Sequence, residues 1–286
     1  MKLLKIFVLA FFAATFYLAL AQPNIVQSQS GATEAPTGFD NKPNGLVSQT
    51  VFNADLATFE EVDDISKGLG PVYNAQSCAA CHQNPVTGAI SQITELRAGH
   101  TDSFGNFVDA AGGSLINDRA IDASLQERVA GTETIRTFRT SLNIMGDGFV
   151  EAIDSNTLVN ISNNQFFQSN GQIAGTFIQV PVLEAPGKVR GGRFGWKNQH
   201  ASLVSFASDA YLNEQGITNQ FNLTENTSLG RSVAAFDHVA DNTPCTANPS
   251  IICGEDKDGD VQIFAEFMRA TKAPPRDTAL AATADA

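Results

Sequence analysis

The sequence predicts a single mainly α domain with long loops and a minor β hairpin. Residues 200–214 and 261–270 carry the apolar stripe that is typical of amphipathic helices. A Pro-Gly turn separates apolar residues 173–182 from residues 189–196, which predicts the hairpin. The sequence shows no internal repeat, so one domain is the simplest organisation.

Shorter elements are predicted from local signals. Thr58, with Glu61 three residues later, resembles a capping box and predicts a helix that begins there. Residues 92–97 are a candidate strand. Residues 149–153 and 155–161 predict two short helices. In the helix over 200–214, Asn198 is the predicted N-cap and Gly216 the predicted end.

The first 21 residues resemble a secretory signal peptide. Lys2 and Lys5 precede an apolar run over residues 6–20, and Ala19-Leu20-Ala21 fits a cleavage site. The run is short for a membrane span, so we expect a periplasmic or secreted protein with no stable span. We expect a flexible leader over residues 22–48, a domain over 49–276 and a disordered tail over 277–286.

The formal net charge of the chain is −12. A strongly acidic surface disfavours nucleic acid, because phosphates attract basic proteins. The same charge is compatible with electrostatic attraction of a basic redox partner.

Cys78-Ala79-Ala80-Cys81-His82 is the most informative motif. A CxxCH sequence is typical of c-type haem attachment, in which two thiols bind the haem vinyl groups and the histidine is the proximal iron ligand. The motif therefore predicts one covalent haem c and a cytochrome-c-like haem domain with insertions. A redox CxxC pair and half of a zinc site are the alternatives.

Two further cysteines, Cys245 and Cys253, lie in a polar stretch. In an exported protein such a pair predicts a local disulfide. The rival interpretation is a four-cysteine zinc site that includes Cys78 and Cys81.

Four blocks of the sequence stand out in combination and order: residues 68–82, residues 139–153, residues 192–197 and residues 267–276. Together they resemble the bacterial di-haem oxidoreductase family, whose members are described as putative peroxidases and formerly as predicted thiol oxidoreductases. The resemblance covers roughly residues 45–276 and implies the N-terminal haem half of that family. Members normally contain a second CxxCH, whereas this sequence has one. A second haem domain or subunit is therefore an expected partner.

The sixth ligand of the iron would decide between electron transfer and the binding of peroxide or oxygen. Sulfur and imidazole side chains are the candidates. Met268 falls on the apolar stripe of the last helix, so we expect it to pack in the core. The other candidates are Met145, His100, His200 and His238.

Three further residues are candidates for chemistry at the haem. Glu151 would supply the acid–base group that peroxide cleavage requires. Arg139 would neutralise a haem propionate or a developing charge. Trp196, the only tryptophan, would relay electrons. Asp256, Asp258 and Asp260 alternate as in a calcium loop, but the glycine is at the wrong position and the twelfth residue is not glutamate.

Three functions follow from these observations. The first is an exported c-type cytochrome domain that transfers electrons through one haem. The second is a peroxidase-like oxidoreductase that requires a second haem domain or subunit. The third is a non-catalytic haem sensor or structural module.

Overall fold

The computed structural model describes residues 34–277. The predicted signal peptide, the first part of the predicted leader and nearly all of the predicted tail lie outside these residues. The prediction of a mainly α, cytochrome-c-like fold is wrong, because eight short strands accompany five α-helices in the part that the structure describes. The helices are α1 (Gln49–Glu60), α2 (Asp147–Ala152), α3 (Ser155–Gln168), α4 (Leu203–Ala210) and α5 (Asp260–Ala270).

The largest sheet is built around a strand whose full extent the sequence did not reveal. Strand β2 pairs with β6 along one edge and with β3 and β4 along the other, always antiparallel. Strand β1 pairs with β5, and β7 with β8. The strands are β1 (Val72–Tyr73), β2 (Thr94–Thr101), β3 (Phe107–Asp109), β4 (Leu115–Ile116), β5 (Arg119–Ala120), β6 (Ile135–Thr140), β7 (Gln179–Pro181) and β8 (Val189–Gly191).

The main hydrophobic core lies where α1, α4 and α5 pack together. Phe59 of α1 contacts Phe264 and Phe267 of α5, with ring centroids 5.9 and 4.6 Å apart. Leu203 of α4 is fully buried in the same cluster. Burial of large apolar side chains of this kind contributes about 2 kcal/mol each. This core supports one wall of the site described below.

The helix boundaries correct two predicted caps. Helix α1 begins after Ser48, whose hydroxyl accepts a hydrogen bond from the Val51 amide, and it ends where the capping box predicted a beginning. Helix α4 is capped by Ser202, which accepts from the Ser205 amide, rather than by Asn198. Both observed caps are serines, which satisfy exposed amides of the first turn.

A π-helical turn over Tyr211–Gln215 follows α4 directly. Its end at Gly216 is left-handed with φ 73°, and an added Cβ there would lie 2.6 Å from the Val72 carbonyl oxygen. The carbonyl of Glu214 accepts hydrogen bonds from the amides of Asn74 and Ala75. The turn therefore holds the segment that leads into the CxxCH motif.

The described end of the predicted leader is attached to the last helix. Thr37 and Pro43 form isolated bridges with Ala273 and Thr271. The side-chain amide of Asn44 donates to the carbonyls of Arg269 and Thr271, at 2.9 and 3.1 Å. Among the helices within residues 34–277, none has the length and apolar character needed to cross a membrane.

Candidate haem-binding site

The CxxCH motif forms a short 3₁₀ turn over Cys78–Ala80. The Ser77 hydroxyl accepts a hydrogen bond from the Ala80 amide at 3.1 Å, and the His82 amide donates to the Cys78 carbonyl at 3.1 Å. The Ser141 hydroxyl donates to the Cys81 carbonyl at 2.6 Å, which joins the motif to the end of β6. The motif is thus fixed by its own turn and by the sheet.

Both cysteines and His82 line one cleft, which we call the haem-motif cleft. It contains about 1420 Å³ of space free of protein atoms, part of which is open to solvent. Its walls come from the motif, from α4 with its π-turn, from α5 and from β2 and β6. Its apolar lining consists of Phe59, Ile93, Leu142, Ile144, Phe206, Phe264 and Met268.

The two thiols are held in their neutral form. Burial raises the pKa of Cys78 strongly and raises the pKa of Cys81 to about 11. A redox CxxC pair needs a low thiol pKa, because the thiolate is the nucleophile. The burial of the two thiols, which raises their pKa values, thus disfavours redox CxxC chemistry. The four-cysteine zinc site is excluded, because Cys245 and Cys253 are joined to each other in a disulfide.

His82 has the protonation state that an iron ligand requires. Burial lowers its pKa to about 4, against the opposing effect of the Ala89 and Leu142 carbonyls. The ring is therefore neutral at pH 7 and able to bind a metal. Its Nδ1 is buried without a hydrogen-bond partner among the described residues. Phe59 packs edge-on against the ring, with centroids 6.5 Å apart.

Positive charge reaches the cleft from three strands, β2, β5 and β6. In the antiparallel register Glu95 of β2 lies opposite Arg139 of β6, and Arg97 follows on the same face of β2. Arg97 donates twice to Glu95, at 2.8 and 2.9 Å. Arg139 and Arg119 also line the cleft, and neither guanidinium makes a hydrogen bond or ion pair with a described residue. These two cations are suited to the carboxylates of a haem, so the residues present fit this cofactor.

Of the residues considered as a sixth iron ligand, only one lines the cleft. Met268 is buried in the main hydrophobic core, as its helical position predicted, and it also lines the cleft. The other four candidates lie outside the cleft lining. Met145 is buried, and Gly88 packs against it. His100 Nδ1 lies 2.9 Å from Glu133, His200 Nε2 lies 3.1 Å from Asp209, and His238 lies beside Asp237.

Hydrogen bonds to Arg269 and to the Leu203 amide hold the Glu151 side chain outside the lining of the cleft. Its carboxylate accepts hydrogen bonds from Arg269 at 2.6 and 3.0 Å and from the Leu203 amide at 2.8 Å. Burial raises the pKa of Glu151, but these hydrogen bonds outweigh burial and lower it overall. The side chain joins α2, α4 and α5, and these contacts favour a structural role over an acid–base one.

Four carboxyl groups line the cleft, and sequence reasoning singled out none of them: Glu95, Asp118, Asp209 and Glu214. Asn74 donates to Glu214 at 2.8 Å. Burial, followed by the nearby Glu95, raises the pKa of Glu214. Glu214 lies on the π-turn that extends α4, within the helix predicted over residues 200–214, but the sequence did not reveal the π-helical geometry.

Trp196 lies at the rim of the cleft. Its ring is 48% exposed, and its Nε1 donates to the Thr140 carbonyl at 3.1 Å. The position suits contact with an approaching partner better than core packing.

The alternating aspartates at 256–260 do not form a calcium loop. The Asp256 carboxylate accepts hydrogen bonds from the amides of Gly259, Asp260 and Val261 and so caps α5. Asp258 bonds Lys257 and Thr246 at the surface.

The chain was compared with known proteins. No family model, curated protein or solved structure matches it. The functional argument therefore depends on the motif and on the geometry of the cleft.

Proposed function

We propose that this protein is an exported electron carrier with one haem c covalently bound in the haem-motif cleft. The observation that carries the proposal is the convergence of two neutral thiols and a neutral imidazole on one cleft lined by apolar side chains. The disulfide Cys245–Cys253 supports an oxidising compartment, where haem c is attached.

Each group has a definite task. Cys78 and Cys81 bind the cofactor covalently, and His82 is the proximal ligand. Arg119 and Arg139 neutralise carboxylates at the mouth of the cleft, while Phe59, Phe264 and the other apolar side chains exclude water. When bound, the haem supplies a one-electron couple at its iron.

The test is covalent haem attachment during expression with a cytochrome c maturation system. We expect a protein with the mass of one added haem and a reversible reduction in its visible spectrum. Replacing both cysteines (Cys78→Ser with Cys81→Ser) should abolish covalent attachment, while Met145→Leu, outside the cleft, should leave it intact. Failure of the unaltered chain to acquire haem would overturn the proposal.

A second candidate function is supported by one observation, the pair of carboxyl groups Glu95 and Glu214 in the cleft. A carboxyl group with a raised pKa is suited to donate a proton to a leaving oxygen. This pair favours a peroxide-using oxidoreductase that works with a second haem domain or subunit. Rapid spectral change on addition of peroxide, lost in Glu214→Gln, would distinguish it from a pure electron carrier.

A further inference from the structure

Three carboxylates from separate segments of the chain lie close together, and Thr218 contacts two of them. Glu225, Asp241 and Glu255 each offer an oxygen, and these oxygens all lie within 4.8 Å of one another. We call these three residues the acidic pocket. Within residues 34–277 it is the one group of three or more such side chains close enough to hold a metal ion.

Glu225 gives the observation that points to a ligand. Both of its carboxylate oxygens are buried, and when Glu225 and Glu255 are both ionised no described residue donates a hydrogen bond to either oxygen. A buried carboxylate without a partner is strongly unfavourable. The charged groups that act most strongly on it are Glu255, Asp241 and Asp237, all of which are acidic. A cation or a proton must therefore compensate this charge.

Thr218 positions the other two carboxylates. Its amide donates to Glu255 Oε2 at 2.9 Å, and its hydroxyl lies 2.7 Å from Asp241 Oδ1 and 3.3 Å from Glu255 Oε2. Hydrogen bonds of this kind orient metal ligands and leave the second oxygen of each carboxylate available.

We propose that the acidic pocket binds one Ca²⁺ ion. All of the donors are carboxylate oxygens, whereas zinc prefers nitrogen and sulfur ligands. They come from irregular loops, and calcium tolerates irregular coordination whereas magnesium demands an octahedron.

The site would connect two parts of the chain. Glu255 follows the disulfide loop, and a Cβ on Gly68 would lie 2.8 Å from its Cβ. Gly68 begins the turn that leads into the CxxCH motif. Calcium would thus fasten this turn to the disulfide loop, without taking part in haem binding.

The test measures calcium binding by the full chain after treatment with a chelator. Isothermal titration with CaCl₂ should show one ion per chain. The Tm should rise by roughly 5 °C when calcium exceeds its Kd a hundredfold. Glu225→Gln and Asp241→Asn should each weaken binding at least tenfold. Asp258→Asn, an exposed acid of the same region, should leave it unchanged.

Three results would overturn the proposal. The first is no heat of binding and no change in Tm, which would mean that protons alone neutralise the pocket. The second is an equal response to MgCl₂. The third is full calcium affinity in either pocket variant, or its loss in Asp258→Asn. The wild-type titration decides the case if a pocket variant fails to fold, and it is independent of haem attachment.

Discussion

The haem-motif cleft contains donors that are neutral at pH 7, whereas the acidic pocket brings three carboxyl groups together. In the cleft, burial lowers the pKa of His82 and raises those of Cys78 and Cys81, so the site carries no charge on its binding groups. In the acidic pocket, burial and the repulsion of nearby carboxylates raise the pKa of Glu225 and of Glu255. A cleft of neutral donors is stable before its cofactor arrives, but a pocket of acids depends on pH or on a cation.

Glu151 differs from both groups of residues, because its largely buried carboxylate forms an ion pair with Arg269. Glu151→Ala should cost about 3 kcal/mol of stability, because Arg269 would be left partly buried and unpaired. Thermal unfolding measures this cost, and Glu266→Ala on the exposed face of α5 is the control, with a change of less than about 0.5 kcal/mol. If Glu151→Ala kept its stability but lost reactivity toward peroxide, a catalytic role of Glu151 would be indicated instead.

The disulfide tests whether the two regions are separate. Replacing both cysteines (Cys245→Ser with Cys253→Ser) should reduce stability by about 2–3 kcal/mol, because the reduced unfolded chain gains entropy. Calcium affinity should fall, since Asp241 and Glu255 flank this loop. Denaturant unfolding and calcium titration measure the two effects. Covalent haem yield should not change, and a parallel loss of haem would show that the cleft depends on the loop.

The sequence revealed those features that are contiguous in the chain. The CxxCH motif, the disulfide pair and the last helix all depend on near neighbours, and the structure contains the disulfide and α5 close to where they were predicted. The hairpin is present but shorter, as β7 and β8.

What the sequence could not predict comes from tertiary contacts. Strand β6 is mostly exposed, so no apolar alternation marks it, and its pairing with β2 supplies Arg139 to the cleft. The acidic pocket draws on residues 225, 241 and 255, whose spacing matches no motif. Glu151 looked catalytic because it follows a glycine-rich turn, but its partner lies 118 residues away.

The acidic pocket should also govern part of the pH dependence of stability. The pKa values of Glu225 and Glu255 are raised in the folded state, so the folded protein holds protons that the unfolded chain releases. Their contribution is complete below about pH 4.5 and is lost as pH rises through the folded pKa. Tm measured from pH 5 to 9 in a chelator should fall. Calcium should reduce this decrease in Tm. If the Tm of Glu225→Gln decreased with pH as steeply as that of the unaltered protein, this account would be contradicted.

The smallest effect on stability is expected in the cleft itself. Glu214 has a raised pKa and is largely protonated at pH 7, so Glu214→Gln replaces one neutral group by another of the same shape. The Asn74 contact survives, and stability should change by less than about 1 kcal/mol. Glu95→Gln is the matched comparison and should cost more, because it weakens the double hydrogen bond to Arg97. If the protein uses peroxide, Glu214→Gln should slow that reaction about 100-fold at unchanged stability, because the proton donor is gone. A large loss of stability would mean that Glu214 is ionised, and the cleft would then resemble the acidic pocket in carrying uncompensated charge.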